Sequence, residues 1–160
     1  MHNLQQLLKR LAEAQFEFVV VGGYAGVLHG SALVTRDLDI CAVLSTENVA
    51  KLRSLLADLH PVHRMTADKL SFLDIPTPES TVANLYLETD GGIIDVISTV
   101  LGVGDYDRLI QHAEMIPLFG HDCAVISLPD LITAKEALGR EKDLLAAKEL
   151  RAIAAKRTPR

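Results

Sequence analysis

Two aspartates stand two residues apart at the start of an apolar segment. Asp37 and Asp39 alternate with Leu38 and Ile40, and this alternation predicts a strand that turns both carboxylates to one face. Two carboxylates on one face repel each other unless a cation lies between them. The pair alone leaves two interpretations open, a divalent cation site or a strand end with two solvated acids.

A third aspartate, Asp95, lies in the most apolar strand predicted for the chain, over residues 92–99. An ionised carboxylate there is costly unless it has a partner. It requires a cation, a basic side chain or a raised pKa, or else its face of the strand is exposed. Together with Asp37 and Asp39 it would form an oxygen-rich site that suits Mg²⁺ or Mn²⁺, with positions left for water and phosphate oxygens.

Paired glycines, Gly22 and Gly23, follow an apolar strand predicted over residues 16–21 and precede a helix predicted to about His29. Glycine at such a turn lets backbone amides approach a phosphate closely. The same pair would also serve any tight turn. The spacing to Gly26 does not fit the dinucleotide-binding pattern, and no Gly-Lys-Ser or Gly-Lys-Thr is present.

The elements that must position these residues alternate irregularly, which predicts a mixed α+β fold with hairpins rather than a doubly wound parallel sheet. Further strands are predicted over residues 38–44, 70–75, 82–88, 115–119 and 123–126. Helices are predicted over residues 3–14, 47–59 after a Thr46 cap, 105–112 with an Asp105 cap, and from Ser127 to a break near Gly139 before 141–155.

Composition indicates one globular domain without a membrane-spanning segment. The chain has 160 residues, 49% hydrophobic and 23% charged, and a formal net charge of −5. We expect a single domain over residues 1–160, with a core over about 15–128 and a C-terminal helical segment over about 129–157. The negative charge excludes a general positive field for nucleic acid or lipid. Without a signal peptide or an apolar run of about 18 residues, a cytoplasmic location with Cys41 and Cys123 as buried thiols is expected.

These motifs resemble the signature of the DNA polymerase beta-type nucleotidyltransferase superfamily, which is an apolar strand, Gly-Gly or Gly-Ser, a helix and Asp-x-Asp. The matching residues are Val20, Val21, Gly22, Gly23, His29, Gly30, Thr35, Arg36, Asp37, Leu38, Asp39 and Ile40. Asp95 matches the third carboxylate of the family. Lys135, Arg140 and Asp143 are similar to the Lys-x4-Arg-x2-Asp segment of AbiEii-type nucleotidyltransferases, which are toxin components of bacterial toxin–antitoxin systems.

The resemblance covers roughly residues 15–145 and implies a minimal nucleotidyltransferase fold, a mixed sheet flanked by helices with further helices at the C-terminus. It implies that Asp37 and Asp39 ligate two divalent metal ions, Mg²⁺ or Mn²⁺, that bind the triphosphate of a nucleoside triphosphate. Asp95 would complete the metal site nearest the attacking hydroxyl and help to deprotonate it.

The resemblance further implies nucleotide contacts from Gly22 and Gly23, which would cradle phosphates, and from Lys135, which would neutralise charge on the β- or γ-phosphate. Thr35, Arg36 and Arg140 are further candidates for nucleotide binding. Arg36 could equally pair with a neighbouring carboxylate, Lys135 could belong to a solvated basic face, and His29 could lie near the nucleotide or only cap its helix.

The expected function is metal-dependent transfer of a nucleoside monophosphate from a nucleoside triphosphate to an acceptor hydroxyl, with release of pyrophosphate. RNA, protein and small molecules remain open as acceptors, and no membrane partner is expected. One alternative is a non-catalytic nucleotide-binding module that acts in a toxin–antitoxin pair with a cognate antitoxin as its partner. A third interpretation is a plain metal-binding or phosphatase-like domain.

Overall fold

A mixed seven-stranded sheet carries the three aspartates. The computed structural model describes residues 3–74 and 82–157. In this part of the chain the strands are β1 (Val19–Val21), β2 (Asp37–Cys41), β3 (Val62–His63), β4 (Asn84–Thr89), β5 (Gly92–Ile97), β6 (Thr99–Val100), β7 (Gly104–Asp105), β8 (Glu114–Leu118) and β9 (His121–Val125). The strands β6 and β7 form a separate two-stranded ribbon.

The order of the strands in the main sheet is β3-β4-β5-β2-β1-β9-β8. The pairs β2 with β5 and β1 with β9 are parallel, and the other neighbouring strands are antiparallel. Parallel neighbours need a crossover connection, whereas antiparallel neighbours can be joined by a hairpin. The sheet is therefore mixed, and the α+β class predicted from the sequence is confirmed.

Helices surround the sheet, and most begin at a residue suited to that position. They are α1 (Leu4–Glu13), α2 (Gly22–Leu28), α3 (Thr46–Leu56), α4 (Tyr106–Ile110), α5 (Leu128–Leu138) and α6 (Glu141–Arg157), with a short 3₁₀ turn at Ala57–Leu59. Asp105 and Ser127 cap α4 and α5 as predicted. The predicted Thr46 cap of α3 is wrong, because Thr46 is the first residue of the helix. The cap is Ser45, whose hydroxyl accepts a hydrogen bond from the Asn48 amide. None of the helices in the described residues combines the length and the apolarity that a bilayer crossing requires.

The side of β2 and β5 that carries no acid packs into the apolar core. Leu38 and Ile40 of β2 are fully buried, as are Ile94 and Val96 of β5. They belong to one cluster with the leucines of α1, which contacts both strands. Because side chains alternate along a strand, this packing directs the aspartates between them to the opposite face. The alternation predicted for residues 37–40 is confirmed.

The strand predicted over residues 70–75 is wrong where the structure describes it. Residues 70–74 form turns with a single bridge between Ser71 and Val62, and Ile75 lies outside the described residues. The apolar pattern there reflects one anchor, because Phe72 is buried while Leu70 and Leu73 are exposed. A single buried ring holds a turn on the surface and does not require a strand.

Both cysteines are buried, as predicted. Burial and the nearby Asp105 carboxylate raise the pKa of Cys41 to about 12, and burial with the charge of Asp122 raises the pKa of Cys123. A thiol with a raised pKa is rarely in the nucleophilic thiolate form. Cys41 and Cys123 therefore belong to the packing of the domain and not to its chemistry.

Candidate active site

The register between β2 and β5 brings the three aspartates together. Asp39 stands directly opposite Asp95, and Asp37 stands opposite Ile93. One carboxylate oxygen from each aspartate lies within 4.8 Å of the others. Asp95 is 8% exposed, and Asp37 and Asp39 are partly buried. We call this group the three-aspartate cluster.

The carboxylates of the cluster are partly buried and repel one another. Burial, followed by the charges of Asp95 and Asp37, raises the pKa of Asp39 to about 6, and Lys135 and Arg64 offset only part of this effect. Burial also raises the pKa of Asp95 against the opposing hydrogen bond from Arg64. Crowded carboxylate oxygens of this kind match the donor preference of Mg²⁺ and Mn²⁺. Asp37, Asp39 and Asp95 therefore fit a divalent cation.

The first glycine of the pair is required where it stands. Gly22 has a φ of +65°, and a Cβ built there would lie 3.0 Å from the Asp39 Cβ and collide with the Asp39 carboxylate. A Cβ at Gly23 would lie 3.0 Å from the Thr35 Oγ1. The paired glycines thus allow the start of α2 to pack closely against Asp39 and Thr35. Its N-cap residue, Val21, offers no side-chain hydrogen bond to the first turn, so the leading amides of α2 have no side-chain cap.

Of the two basic residues predicted to bind nucleotide near the C-terminal helices, Lys135 lies near the cluster and Arg140 does not contact it. Lys135, on α5, is close enough for its charge to lower the pKa of Asp39, and its Nζ lies 3.8 Å from the Asp143 Oδ1. Arg140 donates to both oxygens of Asp143 at 2.5 and 3.2 Å. The structure therefore places Lys135 beside the cluster, whereas Arg140 is bound to Asp143.

Asp143 links the two C-terminal helices at this point. It lies on α6 and is 1% exposed. Burial would raise its pKa, but the hydrogen bond and charge of Arg140, with the charge of Lys135, outweigh that effect and lower it. Gly139 ends α5 in the left-handed conformation, with a φ of +68°, so Lys135 and Lys142 lie on different helices. This Gly139 break was predicted from the sequence and is confirmed.

Thr35, Arg36 and His29 are the remaining candidates from the sequence, and they have different surroundings. The Thr35 hydroxyl donates to the Asp37 carbonyl at 3.1 Å, which keeps Thr35 beside the acid pair. Arg36 is exposed and forms no hydrogen bond or ion pair with any residue that the structure describes. His29 is buried, with its Nε2 2.7 Å from the Ile126 carbonyl oxygen, so it packs α2 onto the sheet rather than facing the cluster.

Arg64 belongs to the site although its position gave no signal in the sequence. Its Nε donates to the Asp95 Oδ1 at 3.1 Å and its Nη2 to the Asp95 Oδ2 at 2.5 Å. The guanidinium lies over the Tyr86 ring, 5.6 Å from the ring centre. The sequence indicated only that Asp95 needed a cation, a basic partner or a raised pKa. It offered no way to choose Arg64 among the basic residues.

The raised pKa of Asp39 predicts a pH dependence of the metal-free protein. Because the folded pKa of about 6 exceeds the ordinary value of 3.8, the folded state binds the extra proton, and this contribution to stability is lost as the pH rises through about 6. Between pH 5 and pH 7 the loss should be about 1 kcal/mol. Urea unfolding in EDTA would measure it, and Asp39→Asn should remove that part of the pH dependence. An unchanged pH profile in this variant would contradict the prediction.

Comparison with known proteins identifies the fold. No protein-family model and no curated protein matches the chain. Among solved structures, the lincosamide antibiotic adenylyltransferase LnuA, bound to lincomycin, is 17% identical with a TM-score of 0.61, and the match covers 94% of this chain and 95% of that one.

Two further structures are similar. A presumed nucleotidyltransferase from Thermotoga maritima is 18% identical with a TM-score of 0.55, over 98% of this chain and 97% of that one. An antigenic nucleotidyltransferase-like protein from Paracoccidioides brasiliensis is 14% identical with a TM-score of 0.55, over 98% of this chain and 75% of that one. At these identities the similarity concerns the fold, and the narrower likeness to AbiEii-type proteins stays a prediction. The chain has the fold of the nucleotidyltransferases.

Proposed function

We propose that this protein is a metal-dependent nucleotidyltransferase that moves a nucleoside monophosphate from a nucleoside triphosphate to an acceptor hydroxyl and releases pyrophosphate. The observation that carries the proposal is the three-aspartate cluster, whose oxygens lie within 4.8 Å of one another. A shared fold alone does not establish an activity. The cluster adds the chemistry to the fold, because it gathers the donors that divalent cations prefer in phosphoryl transfer.

Asp37, Asp39 and Asp95 would hold Mg²⁺ or Mn²⁺ in this proposal. The cation would supply charge stabilisation for the phosphate oxygens in the in-line displacement. Asp95 would accept the proton of the acceptor hydroxyl at a carboxylate oxygen. Its burial favours that role, because a carboxylate with a raised pKa is a better base.

The residues around the cluster would bind the nucleotide. The amides at Gly22 and Gly23 would donate to phosphate oxygens, since the start of α2 has no side-chain cap. Lys135 would neutralise phosphate charge next to Asp39. Thr35 and the exposed Arg36 border the same acids and would contact the outer part of the nucleotide. Arg140 would act through Asp143, whose carboxylate it holds.

We favour a small molecule or a protein hydroxyl over RNA as the acceptor. A net charge of −5 gives no overall attraction for a polyanion, so RNA would need a local basic surface. LnuA, which shares the fold along almost its whole length, is known with lincomycin bound. The same fold therefore binds a small molecule, lincomycin, in at least one structurally similar protein.

A non-catalytic regulatory module is the second candidate, and the ion pair between Arg64 and Asp95 favours it. Both Asp95 oxygens are engaged by the arginine. If that pair never opens, Asp95 is not free to accept a proton. The protein would then bind a nucleotide without turnover and would act through a partner, such as the antitoxin of an AbiEii-type pair.

A transfer assay separates these candidates. The chain is incubated with each of four α-labelled nucleoside triphosphates and Mg²⁺ or Mn²⁺, together with total RNA, total protein or a panel of small hydroxyl compounds. We expect label on one acceptor pool and an equal amount of pyrophosphate, both abolished by EDTA. Nucleotide binding without pyrophosphate in any pool would instead support the regulatory module. Hydrolysis of simple phosphate esters without pyrophosphate release would indicate a phosphatase-like domain.

A further inference from the structure

Arg64 forms an ion pair with Asp95, which is the aspartate that β5 contributes to the cluster. The backbone amide of Arg64 donates to the Tyr86 carbonyl at 3.0 Å and so continues the edge of the sheet beyond β3. Tyr86 stands opposite Asp95, and Asp95 stands opposite Asp39. The four residues form one row across neighbouring strands. Arg64 therefore reaches over Tyr86 to the cluster from the outer edge of the sheet.

The ion pair uses the whole carboxylate of Asp95. Two donors of the guanidinium meet the two oxygens, at 3.1 and 2.5 Å, and the Asp95 side chain is 11% exposed. A two-pronged pair of this kind is the strongest form of a charge-assisted hydrogen bond. A divalent cation holds carboxylate oxygens at about 2.1 Å. A cation on Asp95 and the guanidinium would consequently lie a few ångströms apart, with like charges facing each other.

We propose that Arg64 and the divalent cation compete for Asp95, so that Arg64 sets the cation affinity of the three-aspartate cluster. This inference rests on the proposed metal-dependent function. Without the cation, Arg64 balances one of the three negative charges and holds the buried Asp95 carboxylate. When the cation binds, the pair opens and Arg64 turns toward solvent. The outer nitrogen, Nη1, already lies against Met65, which is 69% exposed.

Competition has two consequences that follow from linkage. Removal of Arg64 must strengthen cation binding, because the cluster then has one more unbalanced charge and no bond to break. Cation binding must in turn release Arg64, since coupling between two sites is reciprocal. A purely structural role for Arg64 would produce neither effect.

The first measurement is the affinity for Mn²⁺ alone, followed by electron paramagnetic resonance of the free ion. Arg64→Gln is compared with the wild type, with Arg10→Gln and with Asp39→Asn. Arg10 is a matched control, because it also pairs with an aspartate, Asp58, but lies on α1. We expect Arg64→Gln to bind Mn²⁺ about tenfold more tightly, within the range of about 5 to 150 found for coupled sites, and Arg10→Gln to match the wild type.

The second measurement uses the wild-type chain, so it does not depend on the folding of a variant. Phenylglyoxal modifies accessible arginines, and peptide mass spectrometry reports the rate at Arg64. We expect this rate to rise when Mn²⁺ is added and the rate at Arg10 to stay constant.

The outcomes separate this inference from the proposed function. If the wild type binds Mn²⁺ and Asp39→Asn does not, but Arg64→Gln binds like the wild type and the labelling of Arg64 is unchanged, competition is overturned and the metal site stands. If neither the wild type nor Arg64→Gln binds Mn²⁺, both ideas fail. Binding by Arg64→Gln alone would support competition in its strongest form.

Discussion

Asp39→Asn is expected to abolish metal-dependent nucleotide binding and to lower the rate of pyrophosphate release by at least about 10²-fold, the range for loss of one preorganised electrostatic group. Asp39 stands at the centre of the cluster, between Asp37 on its own strand and Asp95 on the next. An amide offers a weaker oxygen and no charge to a hard cation. Calorimetry with each nucleoside triphosphate and Mg²⁺, together with the transfer assay, would measure both effects.

The control for this variant is Asp58→Asn, the same substitution at an exposed carboxylate that pairs with Arg10. It should retain both activities. Asp39→Asn should also leave the metal-free protein at least as stable as the wild type at pH 7, because it removes repulsion among the three acids. A stable Asp39→Asn protein that binds nucleotide with the wild-type affinity would refute the proposed site.

Gly22→Ala is expected to disturb both stability and the site. The left-handed conformation costs a non-glycine residue about 1–2 kcal/mol, and the collision of the new Cβ with Asp39 adds an overpacking cost of about 1–3 kcal/mol. In a chain of this size each kcal/mol lowers the melting temperature by about 2–4 °C. Thermal unfolding would measure the loss, and Mn²⁺ binding would show displacement of the Asp39 carboxylate.

Gly120→Ala is a matched control for this effect. Gly120 also has a left-handed backbone, with a φ of +78°, but a Cβ there meets nothing within 4 Å. This variant should show only the conformational cost and should bind Mn²⁺ like the wild type. Equal losses of stability in the two variants, with Mn²⁺ binding unaffected in both, would show that the contact between Gly22 and Asp39 has no role in the site.

Local patterns predicted the parts of the fold that depend on neighbouring residues. The alternation at residues 37–40 placed two acids on one face because the period of a strand is two. The caps at Asp105 and Ser127 and the break at Gly139 depend on the residues of a single turn. The error at Thr46, where Ser45 is the cap, shows the limit of such patterns when two suitable residues are adjacent.

Contacts between distant segments could not be derived in this way. The position of Asp39 opposite Asp95 depends on the parallel register of two strands with no hairpin between them. The residue types indicated that the three acids could share one site, but they gave no strand register. The apolar surroundings of Asp95 indicated a cation, a basic partner or a raised pKa, or else an exposed face of the strand. The identity of the basic partner was not evident, because Arg64 lies beyond a two-residue edge strand in a segment without a regular period.

The central position of β2 and β5 determines when the three-aspartate cluster can form during synthesis. An emerging chain that ends before β5 has Asp37 and Asp39 on a strand that still lacks its parallel neighbour, so the acids face water and hold no ion firmly. The three-aspartate cluster and the sheet topology then form in the same event. Cation affinity should accordingly report native protein, which makes it a direct assay for the yield of refolding.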